Sequence, residues 1–136
     1  MKNVVNKYDT FNHAKYRIRY HIIFSTKYRK SCLQGMENEI YETFNNIAKR
    51  CQFQIVTMGI DNDHIHFIIK ASPSIAIYSI VRRLKQISTR ELWKKYSSHF
   101  SHFYWKKRII WTNGYFCATI GQVAEEKVLN YVNNQG

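Results

Sequence analysis

Proline is almost missing from this chain, with Pro73 alone among 136 residues, and glycine stands at only five positions. So few backbone breakers exclude a collagen-like or Pro/Gly-rich low-complexity chain and leave room for long regular elements. Cysteine is nearly as scarce. Cys32, Cys51 and Cys117 are odd in number, widely spaced and form no C-x-x-C pair, which excludes a disulfide framework and a zinc knuckle. No stretch approaches the ~18–20 apolar residues of a membrane span, and the first residues carry no apolar signal region, so the expected location is cytoplasmic. Acidic residues are the last shortage. Nine Asp+Glu face 21 Lys+Arg, leaving a formal charge of +12. A surplus of that size points to a polyanionic partner, most often nucleic acid.

What the chain has in quantity is aromatic: 10 Tyr, 8 Phe and 3 Trp within a 45% hydrophobic total. Rings mixed with cations suit stacking on unpaired bases as well as phosphate neutralisation. The length predicts one domain, spanning 1–136, with a single real core.

The pattern along the chain predicts alternating elements. Residues Met1 to His13 are polar and weakly patterned and are expected to be a mobile lead-in. Alternation from Tyr16 to Phe24 predicts a strand, followed by a basic, aromatic turn, Lys27-Tyr28-Arg29-Lys30. Met36, Ile40, Phe44 and Ile47 recur at helical spacing and predict a helix over Gly35 to Arg50. Phe53 to Ile60 and His64 to Ala71 read as hairpin strands joined by the turn formers Asp61-Asn62-Asp63. Ser72-Pro73-Ser74 is expected to cap a long helix over Ile75 to Tyr96, whose polar face carries Arg82, Arg83, Lys85, Gln86 and Arg90. Ser97 to Gly114 reads as irregular, Tyr115 to Thr119 as a strand, and Val123 to Asn134 as a last helix behind Gly121. The expected class is α+β: a ferredoxin-like (RRM-like) β-α-β-β-α-β antiparallel sheet, helices on one face, plus a C-terminal helix.

The stretch that organises the chain is Asp63-His64-Ile65-His66-Phe67-Ile68-Ile69-Lys70. Side chains on a strand alternate faces, so His64 and His66 point together while Ile65, Phe67 and Ile69 point into a core. Such a pair is either two hydrogen-bonded surface histidines or a two-point metal site that needs no backbone distortion. On the last helix, Tyr131 and Gln135 stand four apart and share a face. A tyrosine there can equally be an amphipathic anchor, and a glutamine so near the end a frayed polar terminus.

Five landmarks together change the balance: Tyr20-His21-Ile22-Ile23-Phe24 with Lys27-Tyr28-Arg29; Asp63-His64-Ile65-His66; Leu84-Lys85-Gln86-Ile87-Ser88; Trp111-Thr112-Asn113-Gly114-Tyr115-Phe116; and Tyr131-x-x-x-Gln135. In this order, from Lys15 to Gln135, the sequence resembles the single-tyrosine HUH transposases, the small TnpA-type enzymes that move insertion sequences as single-stranded DNA. Asn62 departs from the proline that often precedes Asp-His in such sequences, which concerns the turn and not the ligands.

The resemblance implies that His64, His66 and Gln135 hold a divalent cation, Mg²⁺ or Mn²⁺, and that Tyr131 is the nucleophile. It implies single-stranded DNA with hairpins at the element ends as substrate, with Lys27, Tyr28, Arg29, Arg82, Arg83, Lys85 and Arg90 as candidate DNA contacts. It further implies a homodimer in which one subunit's last helix, hinged at Gly121, completes the other's histidine pair in trans. Two alternatives stay open. One is a domesticated, repeat-associated tyrosine nuclease; the other is a non-catalytic module that binds single-stranded nucleic acid.

Overall fold

In the computed structural model, which describes residues 8–133, strands β1 (Asp9–Phe11) and β2 (Ala14–Tyr16) form a small hairpin. A second, four-stranded sheet follows from β3 (Ile18–Ser25), β4 (Phe53–Ile60), β5 (His64–Ala71) and β6 (Phe116–Thr119). Its order across the sheet is β4-β5-β3-β6, and every neighbouring pair is antiparallel. Among the described residues the α-helices are α1 (Glu37–Arg50), α2 (Ile77–Phe100) and α3 (Gln122–Asn133). This is an α+β architecture of antiparallel sheets and helices.

One face of the sheet supplies Ile22 and Phe24 from β3 and Ile65, Phe67 and Ile69 from β5, all essentially buried. They meet Ile40, Phe44 and Ile47 of α1 and Ile80, Val81 and Leu84 of α2 in one cluster. At its centre the rings of Phe24, Phe44, Phe67 and Trp111 lie with centroids 4.9–6.4 Å apart, several of them edge to face. Burial of each such side chain contributes on the order of 1.5–3 kcal/mol, and the edge-to-face contacts somewhat more. Trp111 also donates its indole N–H to Ser88 at 2.9 Å, which satisfies both buried polar groups.

Three expectations need correcting. The described end of the supposed mobile lead-in, from Asp9, is the β1–β2 hairpin, turned by Asn12 and His13 at φ 48° and 69°. Two left-handed residues in a two-residue loop match the twist of the flanking strands. Asp9 then ties the hairpin to the main sheet through Arg19 at 3.2 Å and Lys70 at 2.9 Å. Next, α2 is not capped by a serine: Ser72 and Ser74 bond each other in a preceding turn, and the helix starts behind Ala76 without a side-chain cap. Finally, α2 runs past Tyr96, which breaks the helical geometry at φ −129°, ψ 39°, and continues to Phe100.

Candidate active site on the histidine face of the sheet

Residues paired across antiparallel strands share a face. The registers Ser25 with His64, Ile23 with His66, His21 with Ile68 and Gly59 with His66 therefore put His21, His64 and His66 together, opposite the helical core. The His64 and His66 rings lie nearly parallel, 25° apart, with centroids 6.3 Å from each other. His21 meets His66 edge-on at 6.0 Å, and Phe116 closes the row against His21 at 6.2 Å. Gly59 makes room for the pair, because the His66 ring fills the space in which a Cβ at position 59 would stand.

The turn before β5 controls His64. Its Nδ1 lies 3.0 Å from Asp63 Oδ1, and its Nε2 stands 3.8 Å from Asp61 Oδ2. Arg29 grips Asp63 with two bonds, Nε to Oδ2 at 3.1 Å and Nη2 to Oδ1 at 3.2 Å. The Arg29 bond, followed by the His64 bond, holds the Asp63 carboxyl below the ordinary carboxylate range. Burial, reinforced by His21 and His64, lowers the pKa of His66, and burial alone lowers that of His21. His21 Nε2 is buried and has no hydrogen-bond partner among the described residues.

Neutral imidazoles are the form that ligates a metal, and a carboxylate on Nδ1 leaves Nε2 free to do so. The donor set thus fits two ligands of a divalent cation. Among the described residues no group of three His, Cys, Asp or Glu side chains converges as a complete metal site. Gln135 lies outside the described residues.

Helix α3 lies across this same face. Glu125, nearly buried in its first turn, pairs with Arg17 and stands 3.3 Å from Arg19 Nε, and the helix reaches β4. Arg19 belongs to the histidine face, being two residues before His21 on β3. Tyr131, further along α3, is 64% exposed. Gly121 precedes the helix in open space without a positive φ, so this arrangement makes no demand on glycine there.

The candidate DNA contacts separate into groups. Arg82 and Arg90 line a groove of about 660 Å³ beside Tyr78, Trp93, Arg108 and Tyr115, with Arg108 stacked over Trp93 at 5.6 Å. Arg83 is exposed but points outside that lining. Lys85 also lines it, yet its Nζ donates to the carbonyls of Thr112 and Gly114 at 2.8 and 2.7 Å, and burial lowers its pKa. Its ammonium holds the 112–114 loop to α2. Lys27 and Tyr28 line a second, strongly basic cleft, whereas Arg29 turns back to Asp63. Sequence reasoning missed the Arg29–Asp63 bond and the place of His21 beside His66; the signals for His21 were its alternation with Ile22 and Phe24 and its place in the Tyr20–Phe24 landmark.

Comparison with known proteins places the chain in a family. Residues 14–135 match the family model described as "Transposase IS200 like", and the chain belongs to that family. It is 26% identical over 121 residues to the ISDra2 transposase TnpA of Deinococcus radiodurans, covering 88% of this chain and 85% of that one. It is 25% identical over 126 residues to the transposase for insertion sequence element IS200 of Salmonella typhimurium, covering 90% and 80%. Among solved structures, a Deinococcus radiodurans R1 protein assigned as a transposase superposes with a TM-score of 0.76 at 23% identity, over 93% of this chain and 97% of that one. A REP-associated tyrosine transposase bound to a REP hairpin superposes with 0.58 at 12% identity, over 91% and 70%. At those identities the two structures establish likeness of fold. Family membership supports a DNA transposase activity in general.

Proposed function

We propose that the chain is a metal-dependent, single-tyrosine transposase that cleaves and rejoins single-stranded DNA at insertion-sequence ends through a 5′-phosphotyrosine on Tyr131. One observation carries the reading: the paired imidazoles of β5 share a sheet face with the helix that bears Tyr131. In fold terms the sheet order reads as the ferredoxin-like split βαβ arrangement, with α3 added on its open face.

His64 and His66, with Gln135, would hold Mg²⁺ or Mn²⁺, which would supply positive charge to the scissile phosphate and the departing 3′-oxygen. The remaining work belongs to the chain. The phenol oxygen of Tyr131 attacks phosphorus, the bond from phosphorus to the 3′-oxygen breaks, and the phenol proton is given up as the 3′-hydroxyl forms. A tyrosine ester conserves the broken linkage, so attack by another 3′-hydroxyl restores the DNA and the phenol without a nucleotide cofactor. Asp63 orients the His64 ring, and the burial that lowers the pKa of His66 favours the form whose lone pair can bind a cation.

Lys27, Tyr28, Arg82, Arg83 and Arg90 contact the DNA and its terminal hairpins, positioning phosphates while rings stack on unpaired bases. The acting form is a homodimer in which α3, swinging at Gly121, completes the partner's imidazole pair in trans. Mixing Tyr131→Phe subunits with His64→Ala subunits restores cleavage if the sites are shared and leaves it absent if each site is built from one chain. The reading itself is tested with labelled single-stranded DNA from the element ends plus Mg²⁺. A protein–DNA adduct that survives denaturation, and is lost in excess chelator, supports it; full cleavage in chelator contradicts it.

A further inference from the structure

Two consecutive residues in the turn after β3 adopt left-handed backbone: Tyr28 at φ 61° and Arg29 at φ 53°. Neither is glycine, and each such residue costs of order 1 kcal/mol or more unless its surroundings impose it. The surroundings do. Thr26, fully buried, receives the turn: Arg29 N donates to Thr26 O at 3.0 Å, and Thr26 Oγ1 donates to Lys30 O at 2.7 Å. Thr26 N in turn donates to the backbone carbonyl of Asp63 at 2.9 Å, and Lys27 N to Ile110 O at 2.7 Å. The strained pair is thereby locked to the residue that precedes His64.

The lock sends neighbouring side chains in opposite directions. Arg29 goes back to Asp63, and its Nη2 and His64 Nδ1 share one acceptor, Asp63 Oδ1, at 3.2 and 3.0 Å. Tyr28 goes outward, 71% exposed, into a cleft of about 680 Å³ that it lines with Trp105, itself 74% exposed. Lys27, Lys30, Lys106 and Lys107 line the same cleft, and among the described residues no acidic side chain does. Two wet rings flanked by four ammonium groups suit an unpaired base with its phosphates.

From this geometry we infer that Tyr28, Arg29 and Asp63 form a positioning arm. The arm holds His64 for its cation and reports to it whether single-stranded nucleic acid occupies the Tyr28–Trp105 cleft. Arg29 and Asp63 act through His64 and touch no reacting atom; Tyr28 shares their backbone turn. A nucleotide seated on Tyr28 stiffens the turn and with it the Arg29–Asp63–His64 line. Cation affinity then rises on nucleic-acid binding, and by linkage nucleic-acid affinity rises with the cation by the same factor. The inference rests on the reading of His64 as a cation ligand.

The test measures Mn²⁺ affinity by calorimetry or by the spin-resonance signal of free Mn²⁺, with and without a saturating oligothymidylate, on the full chain. His64→Ala is the control for the reading beneath: unchanged Mn²⁺ affinity in that variant refutes the metal site itself, and the arm falls with it. Given that control, Asp63→Ala is expected to weaken Mn²⁺ binding ~10–100-fold with little change in melting temperature. Should Asp63→Ala fold poorly, Asp63→Asn, which keeps the acceptor and loses the charge, is expected to show a smaller loss in the same direction. Arg29→Met and Tyr28→Ala are expected to abolish the rise in Mn²⁺ affinity caused by the oligonucleotide, and Arg29→Lys to restore it only in part. Wild-type Mn²⁺ affinity in Asp63→Ala overturns the positioning role. A wild-type protein with no oligonucleotide-induced rise, or an Arg29→Met variant that keeps the full rise, overturns the coupling. Failure to find a Tyr131 adduct alongside these shifts would overturn the transposase mechanism and leave the arm standing.

Discussion

Gly59 and His66 face each other across β4 and β5, and the imidazole of the second occupies the volume that any side chain on the first would need. Gly59→Ala therefore pushes the His66 ring aside. The displaced group is the free end of a side chain, so the fold tolerates it, and the melting temperature stays within about 3 °C of wild type. The proposed cation site is expected not to tolerate it. The Mn²⁺ concentration for half-maximal adduct formation is expected to rise at least ~10-fold, read from a metal titration of the adduct assay.

Phe67 stands at the centre of the aromatic cluster, fully buried and within 5.1 Å of Phe44 and 5.5 Å of Phe24 by ring centroids. Phe67→Ala removes those contacts and leaves a cavity. The expected loss is ~3–5 kcal/mol, measured by denaturant unfolding. An equally stable Phe67→Ala would mean that the helical face of the sheet is not packed as described.

Glu125 anchors the start of α3 by accepting from Arg17 and standing against Arg19. Arg19 Nε already lies 3.3 Å from that carboxylate without an aligned hydrogen bond, so removing the charge leaves a buried guanidinium still less satisfied. Glu125→Gln is expected to cost ~1–3 kcal/mol and to loosen α3 before the rest of the chain. Hydrogen exchange separates the two effects: amides of α3 exchange faster while those of β3 and β5 keep their protection.

Acid should loosen the N-terminal hairpin. Burial alone would raise the pKa of Asp9, but hydrogen bonds and charge from Lys70 and Arg19 outweigh it and leave the group below its ordinary 3.8. A carboxyl with a depressed pKa stabilises the fold above its unfolded value, and that stability is lost as pH falls through the folded value. Asp9→Asn is therefore expected to cost about 1 kcal/mol at pH 7 and progressively less below pH ~4. Unfolding curves at the two pH values check the sign; an equal cost at both would mean that Asp9 is not ionised in its two ion pairs.

Local pattern was legible and distant pairing was not. Strands Phe53–Ile60 and His64–Ala71 lie where they were expected; alternation marks the second, while in the first a bulge between Ile55 and Thr57 shifts the phase, so that both Phe53 and Met58 reach the core. The β1–β2 hairpin was hidden because its turn pairs Asn12 with His13, where glycine would have announced a left-handed position. Arg29 read as a phosphate contact because nothing local marks an arginine whose partner is 34 residues away. The same holds for Arg17 and Glu125, separated by 108 residues. Lys85 read as a candidate DNA contact on a cationic helix face, and the folded 112–114 loop reveals the carbonyls that accept its hydrogen bonds.

The central claim is a covalent bond between one side chain and DNA, and the most direct measurement maps that bond. Single-stranded DNA from the element end is incubated with the protein and Mg²⁺, the adduct is denatured and digested, and the modified peptide is sequenced by mass spectrometry. The account predicts a nucleotide joined through its 5′-phosphate to the phenol oxygen of Tyr131, with a free 3′-hydroxyl on the released strand and no adduct in Tyr131→Phe. A linkage on any other residue, or cleavage of normal rate in Tyr131→Phe, would contradict it.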